Sequence, residues 1–275
     1  MVGHLQAGDL IARGNTSDVW RWSPTMVVKV LRPDIPRHWA GLEADITHAV
    51  YEAGLPAPAT HGIVEVEGRP GVVLECIDGV SMWSQMKAAP EQLPSLIEEL
   101  VDLQVGVHAA GPIAGLPDLV TRLQGKIDEA EQLPGHERQE AHDLLADMPR
   151  GVALCHGDMH PANILMSARG WIIVDWFDAA IGYATADLAR SSLLMRPPAT
   201  PQSSNKHLDG ATIDVLDRLH GAYLSVLRER GLIDETAFAK WEAILAVARM
   251  SEPVQKADLV SIWERWRAGD PAGRA

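Results

Sequence analysis

Asp158 and Asn163 stand five residues apart in the stretch His156-Gly157-Asp158-Met159-His160-Pro161-Ala162-Asn163, and Asp175 follows twelve residues later at the end of Trp171-Ile172-Ile173-Val174. The stretch reads as a loop between two short apolar strands, and a strand end is a rigid place from which to aim a carboxylate. Asn163 and Asp175 offer hard oxygen donors, the kind Mg²⁺ selects. Asp158, on the same loop as Asn163, can take a proton from an attacking hydroxyl while a metal neutralises phosphate charge.

Two histidines compete for the same loop, because His156-x-Asp158-x-His160 is also part of a zinc-hydrolase ligand set. No second histidine cluster completes such a site. His108, His136, His142, His207 and His220 fall singly on predicted helices, where solvated or capping roles are expected, and His156 reads as a structural residue that holds the loop through hydrogen bonds. Just after Asp175, Trp176, Phe177 and Asp178 are expected to face the cleft, with Asp178 assisting metal or substrate. The other tryptophans fall at core-like spacings and read as packing.

The loop is similar to that of the aminoglycoside phosphotransferase (choline kinase-like) branch of the protein-kinase-like fold, H-G-D-x-x-x-x-N, at His156, Gly157, Asp158 and Asn163. The resemblance continues through Asp175 and Gly182 into Asp187-Leu188-Ala189. It implies Asp158 as catalytic base, Asn163 and Asp175 as Mg²⁺ ligands, and Asp187 as a brace for the loop through backbone hydrogen bonds. Upstream it implies that Lys29, in Val27-Val28-Lys29-Val30, contacts the α- and β-phosphates of ATP and pairs with a helix glutamate. Glu43 is that partner, counted back from Gly54-Leu55-Pro56, with Asp45 facing elsewhere. From residue types alone, Lys29 also fits an edge-strand solubilising residue and Glu43 a surface acid. The turn Gly14-Asn15-Thr16-Ser17-Asp18 stands where the phosphate loop would be, with one glycine, and Ser17 is its expected phosphate contact. Leu74-Glu75-Cys76-Ile77-Asp78-Gly79 stands at the hinge, where the Glu75 carbonyl and the Ile77 N–H would hold adenine.

The elements that must position these residues fall into two groups. Alternating apolar runs at 10–14, 19–22, 26–31, 61–67 and 71–77 predict an antiparallel meander, and 37–52 predicts one helix with Trp39, Leu42, Ile46, Ala49 and Val50 inward. Beyond Asp78 the pattern turns helical, over 81–88, 91–109, 119–132 and 136–147. A β island follows at 152–155, 164–166 and 171–174, and helices return at 184–195, 208–230, 235–251 and 254–267. The segment 197–205, with three prolines, reads as a mobile connection. The expectation is an α+β, two-lobed protein-kinase-like fold, with a nucleotide-binding lobe at 1–77 and a mainly helical lobe at 78–275 that carries the catalytic loop and substrate pocket.

Composition bounds the partners. The 275 residues are 47% hydrophobic and carry a formal net charge of -13, which argues against nucleic acid and anionic membranes. No run is long and apolar enough for a membrane span, and residues 1–10 lack the pattern of a secretory signal. Cys76 and Cys155 read as buried free thiols of a cytoplasmic protein. Residues 91–150 hold twelve acids against four bases, a concentration that would attract a cationic ligand. Asp214, Asp217 and Glu252 are expected in the acceptor pocket. The implied activity is ATP- and Mg²⁺-dependent phosphorylation of a hydroxyl on an aminoglycoside or other cationic antibiotic, by a monomer or homodimer. The alternatives are a hydroxylated metabolite (a sugar, amino alcohol or macrolide) as acceptor, or a pseudokinase that binds nucleotide without turnover.

Overall fold

The computed structural model describes residues 2–3, 10–198 and 209–269. The first group of elements is a sheet with one helix. Strands β1 (Val2–Gly3), β2 (Leu10–Arg13), β3 (Ser17–Ser23), β4 (Met26–Leu31), β5 (Thr60–Val66) and β6 (Arg69–Glu75) lie in the order β1-β5-β6-β4-β3-β2. The five longer strands are antiparallel, and the two-residue β1 adds to β5 in parallel. Alternation along β4 sends Val28 and Val30 into one small core with Val66 and Val73, while Leu31 packs with Ala40, Ala44 and Val72 on the opposite face. Lys29 has the parity of Leu31, so it points to the side covered by α1 (Trp39–Glu52).

Helix α1 buries Ala40, Glu43, Ala44, Ile46, Thr47 and Val50, a stripe at helical spacing, and a glutamate within it faces the sheet. Leu42, expected inward, is 45% exposed, because it lies off that stripe. Asp45 is exposed, as expected.

The helical lobe contains α2 (Met82–Ala88), α3 (Leu93–Ala109), α4 (Leu119–Asp128), α5 (Gly135–Ala146), α6 (Ala184–Met195), α7 (Gly210–Glu229), α8 (Glu235–Arg249) and α9 (Ala257–Arg267). Its continuous core extends into Ile46 and Val50 of α1, so the two lobes share packing. α4 stops four residues earlier than expected, and Ala130 and Leu133 are buried from an irregular segment instead. α9 starts three residues late, beyond Pro253, whose ring and missing N–H keep 250–256 from joining α8 and α9.

The β island consists of β7 (Ala153–Cys155), β8 (Ile164–Ser167) and β9 (Gly170–Ile173), with β8 and β9 a hairpin. An element the sequence does not announce, β10 (Ala180–Gly182), pairs with β7 and anchors the chain beyond the His156–Asn163 loop. Three residues of Ala-Ile-Gly are too short to show a period. The expected connection at 197–205 lies, beyond Pro198, outside the described residues. His207 lies outside them as well. Among the described residues no helix is long and apolar enough to cross a membrane.

Candidate active site

The loop from His156 to Asn163 joins β7 to β8 and is held from four directions. His156, fully buried, accepts from the Asp158 N–H at Nδ1 (3.1 Å) and donates from Nε2 to the Val174 carbonyl (3.2 Å). Burial pushes its pKa down, which suits this neutral tautomer. Gly157, at φ 78°, donates its N–H to Asp187 Oδ1 at 2.7 Å, and a Cβ there would stand 2.5 Å from the Asp178 carbonyl oxygen. The Gly157 carbonyl accepts from Arg190 Nε at 2.9 Å. The Asn163 carbonyl accepts from the Val174 N–H at 2.9 Å, which ties the loop to the strand that delivers Asp175.

Asp158 and Asn163 meet across this loop. Asn163 Nδ2 donates to both the main-chain oxygen and Oδ2 of Asp158, each at 3.0 Å. With both amide hydrogens used, Asn163 Oδ1 is the atom left for a cation. Burial raises the Asp158 pKa to about 6, against the opposing pull of His160 and Arg190, each 3.8 Å away. Near neutral pH the carboxyl is therefore mostly ionised yet a better proton acceptor than an ordinary aspartate.

Asp175 follows β9 in the left-handed region, φ 65° and ψ 61°, a conformation that aspartate tolerates better than most residues. That turn aims its Oδ1 at Lys29 Nζ, 2.7 Å away, while the same Nζ lies 2.6 Å from Glu43 Oε1. Lys29 is 9% exposed and Glu43 3%, while the Asp175 side chain is 40% exposed, so positions 29, 43 and 175 converge in an ion-pair cluster that is buried at Glu43 and opens toward solvent at Asp175. Burial pushes the Lys29 pKa down, but Asp175 and Glu43 more than offset it and hold the ammonium charged. Lys29 in turn holds Asp175 below its ordinary value against the upward push of burial. Asp175 keeps Oδ2 as a second hard oxygen on the cleft that Asn163 also lines, and oxygen donors of this kind fit Mg²⁺.

Asp158, Asn163, Lys29, Glu43 and Asp175 open on one cleft of about 1030 Å³, lined on the sheet side also by Gly14, Ser17, Val27, Glu75 and Ile77. Ser17 is buried and its carbonyl closes the turn by accepting from the Gly14 N–H at 2.8 Å. At the hinge, the Glu75 carboxylate is clamped by Arg169 from the β8–β9 hairpin at 2.7 Å and accepts from the Ala59 N–H. Gly79 packs so closely on the Met166 carbonyl that a Cβ would stand 1.4 Å from its oxygen.

Five expectations are corrected. Trp176 does not face the cleft: it is fully buried, donates to the Ile173 carbonyl and packs on the His156 ring. Phe177 packs on Trp39. Asp178 turns to the rear of the loop, where Arg122 (3.0 Å) and Lys126 (3.1 Å) bind it. Burial would raise its pKa, but Lys126, Arg190 and Arg122 hold it well below the carboxylate range. Asp214 and Asp217 sit exposed on α7 outside the cleft, and Glu252 is enclosed by Arg190, Lys126 and Arg249 rather than facing an acceptor. None of residues 91–150 lines the cleft, so the acidic concentration there belongs to helix faces elsewhere.

The sequence did not single out Arg190 or the role of His108. His108 Nε2 donates to Asp187 Oδ2 at 2.9 Å, and His220 Nε2 lies 2.9 Å from the Ser192 hydroxyl, so neither is a solvated surface histidine. Arg190 alone carried a local signal, since it falls one turn after Asp187 on α6. Among the described residues no group of three or more His, Cys, Asp or Glu side chains could hold a metal ion, which leaves the zinc-hydrolase arrangement without a ligand set.

Residues 9–221 match the sequence pattern of the phosphotransferase enzyme family, and they make up more than half of the chain. The chain belongs to this family. Solved structures share the phosphotransferase's fold. Aminoglycoside phosphotransferase APH(4)-Ia aligns with a TM-score of 0.64 at 15% identity, covering 97% of this chain and 93% of that one. The amicoumacin kinase hAmiN, in complex with AMP-PNP, Ca²⁺ and Ami, aligns with a TM-score of 0.57 at 11% identity over 98% and 90% of the two chains. A choline/ethanolamine kinase family protein from Mesorhizobium loti aligns with a TM-score of 0.52 at 19% identity over 93% and 85%. At such identities the likeness is one of fold. No curated protein matches the phosphotransferase in sequence.

Proposed function

We propose that this phosphotransferase is an ATP-dependent kinase that transfers the γ-phosphoryl group to a hydroxyl of a small molecule. The observation that carries the reading is the opposition, across one cleft, of the Lys29–Asp175 ion pair (2.7 Å) and the Asn163–Asp158 hydrogen bond (3.0 Å). Asp158 is the base: its carboxylate orients the acceptor hydroxyl and takes the proton as the oxygen bonds to the γ-phosphorus and the β–γ bridging bond breaks, leaving ADP. Lys29, oriented by Glu43, binds the α- and β-phosphates. Ser17 and the N–H groups of its turn cover the phosphates, and the Glu75 carbonyl and Ile77 N–H hold the adenine. Asn163 Oδ1 and Asp175 would hold Mg²⁺, which supplies neutralisation of phosphate charge when bound. Arg190, His108 and Asp187 are positioning residues that fix the loop backbone. The cytoplasm, where ATP and free thiols such as Cys76 and Cys155 coexist, is the expected compartment.

The names of the neighbours leave two acceptor classes, a polycationic antibiotic as for the aminoglycoside phosphotransferase, or a hydroxylated molecule of lower charge. Titration of the purified protein with Mg²⁺–AMP-PNP, followed by an ATP-consumption screen over antibiotics and hydroxylated metabolites, tests the reading. Nucleotide binding, with turnover abolished in Asp158→Asn, is the expected result. A protein without affinity for any magnesium nucleotide is not this kinase, and a binder whose turnover survives Asp158→Asn does not use the proposed base.

A further inference from the structure

Beyond Asp158 the cleft runs into a chamber built by the helical lobe. Its walls include Leu193 and Leu194 at the end of α6, Leu216 of α7, Val254, and Leu259 and Ile262 of α9. Arg249 and Asp158 line the same cleft, which puts this chamber next to the proposed base. Taking the kinase reading as its basis, we infer that the acceptor is a hydroxylated molecule with an apolar body and no cluster of cationic groups.

The charges of the chamber carry the argument. A polycation buried beside a protein needs a carboxylate for each ammonium, because an unpaired charge taken out of water is heavily penalised. Among the described residues that line this end, the only acid is Asp258, which already has an interaction within the protein, and it stands against two cations, Arg196 and Arg249. The acids nearest to those arginines are committed: Glu242 binds Arg196 at 2.6 Å, and Glu252 binds Arg190 at 2.9 Å and Arg249 at 3.2 Å. Asp158 has its own task at the hydroxyl. Asp214 and Asp217 face solvent on α7, and the acids of 91–150 lie away from the cleft. Arg196 is balanced by Glu242, but Arg249 shares Glu252 with Arg190 and Lys126, so this end offers a polycation no spare negative charge, whereas an uncharged alcohol meets an apolar wall that gains from being covered. Each aliphatic side chain named here is therefore a specificity element, not a contact for a sugar amine.

The test uses isothermal titration of the full chain in the presence of Mg²⁺–AMP-PNP. The probes are octyl β-D-glucoside below its micellar concentration, an uncharged alcohol with an apolar tail, and tobramycin, a polycation. Saturable binding of the glucoside with a Kd at least tenfold below that of tobramycin is expected. Leu216→Glu and Val254→Glu, at partly exposed positions where a free carboxylate stays solvated, should each weaken the glucoside at least tenfold. They should leave the Mg²⁺–AMP-PNP affinity unchanged, which shows that each variant is folded. Tobramycin binding as tightly as the glucoside, no saturable glucoside binding, or glucoside binding indifferent to both substitutions would overturn the inference. If Mg²⁺–AMP-PNP fails to bind the wild type, the kinase reading fails instead, and the two failures are read separately from the same titrations.

Discussion

Asp187 offers the sharpest test of how the His156–Asn163 loop is held. Its side chain is wholly inaccessible to solvent and accepts one bond from the Gly157 N–H at 2.7 Å and one from His108 Nε2 at 2.9 Å. Both are charge-assisted bonds to a buried carboxylate, each contributing about 1.5–3 kcal/mol. Asp187→Ala removes both and leaves a buried backbone donor and a buried imidazole without partners, so about 3–5 kcal/mol of stability should be lost. Asp187→Asn keeps an acceptor for Gly157 and loses mainly the charge, for a smaller loss of about 1–2 kcal/mol. Urea unfolding followed by tryptophan fluorescence measures both, with kcat read on the same samples. The pH dependence adds a sign. Burial would raise the Asp187 pKa, but His108 and the Gly157 N–H lower it, so its contribution is complete above the unfolded value of about 3.9 and disappears as pH falls through the lower folded value. The acid limb of the wild-type stability curve should therefore be steeper than that of Asp187→Ala. An alanine variant within about 1 kcal/mol of wild type and with full kcat would show that the loop does not depend on this brace.

Three further outcomes follow from other parts of the structure. Glu43→Gln removes one of the two carboxylates that fix Lys29 and should weaken nucleotide binding by about tenfold, or about 1.4 kcal/mol, in a fluorescent-nucleotide titration; unchanged affinity would exclude an orienting role. Gly157→Ala forces a left-handed alanine into the Asp178 carbonyl, 2.5 Å from its Cβ, and should cost about 3 kcal/mol or more, read as a fall in the urea midpoint. His220 has its pKa lowered to about 4, first by burial and then by Arg196 and Arg228. The unfolded chain thus takes up a proton near pH 6.5 that the folded chain refuses until about pH 4, and stability should fall by roughly 3 kcal/mol as pH drops through that window. His220→Gln should flatten that fall in denaturation curves taken from pH 7 to pH 4, and an unchanged slope would refute the assignment.

What the sequence disclosed and what it hid differ by physical range. Helix α6 was readable to the residue, because its apolar period and the loop before it are local signals. The meander and α1 were readable for the same reason, whereas the pairing of Lys29 with Glu43 followed only from the family resemblance, since residue types alone fit a solubilising lysine and a surface acid as well. Leu42 misled because it is apolar but off the stripe. Asp178 misled because adjacency to Asp175 in sequence is not adjacency in space: the left-handed turn at Asp175 sends the next residues to the far side of the loop. His108 and Asp187 are 79 residues apart, and nothing in either neighbourhood announces the other. The acidic stretch at 91–150 was legible as charge, but its distance from the cleft depends on how α3, α4 and α5 pack, which composition does not encode.

The position of Lys29 between two carboxylates has a consequence for how the cleft greets a triphosphate. Without nucleotide the ammonium is already neutralised on both sides, so the apo protein holds no stray positive charge there to capture passing anions. A phosphate chain arriving bare would confront Glu43 and Asp175 as fellow negatives, with their shared lysine spoken for. On the proposed reading, Asp175 would hold a divalent ion that offsets this negative charge, leaving Lys29 to the phosphates. Under the proposed function the bridge would then favour a metal-bound nucleotide over the naked anion, by charge rather than by shape.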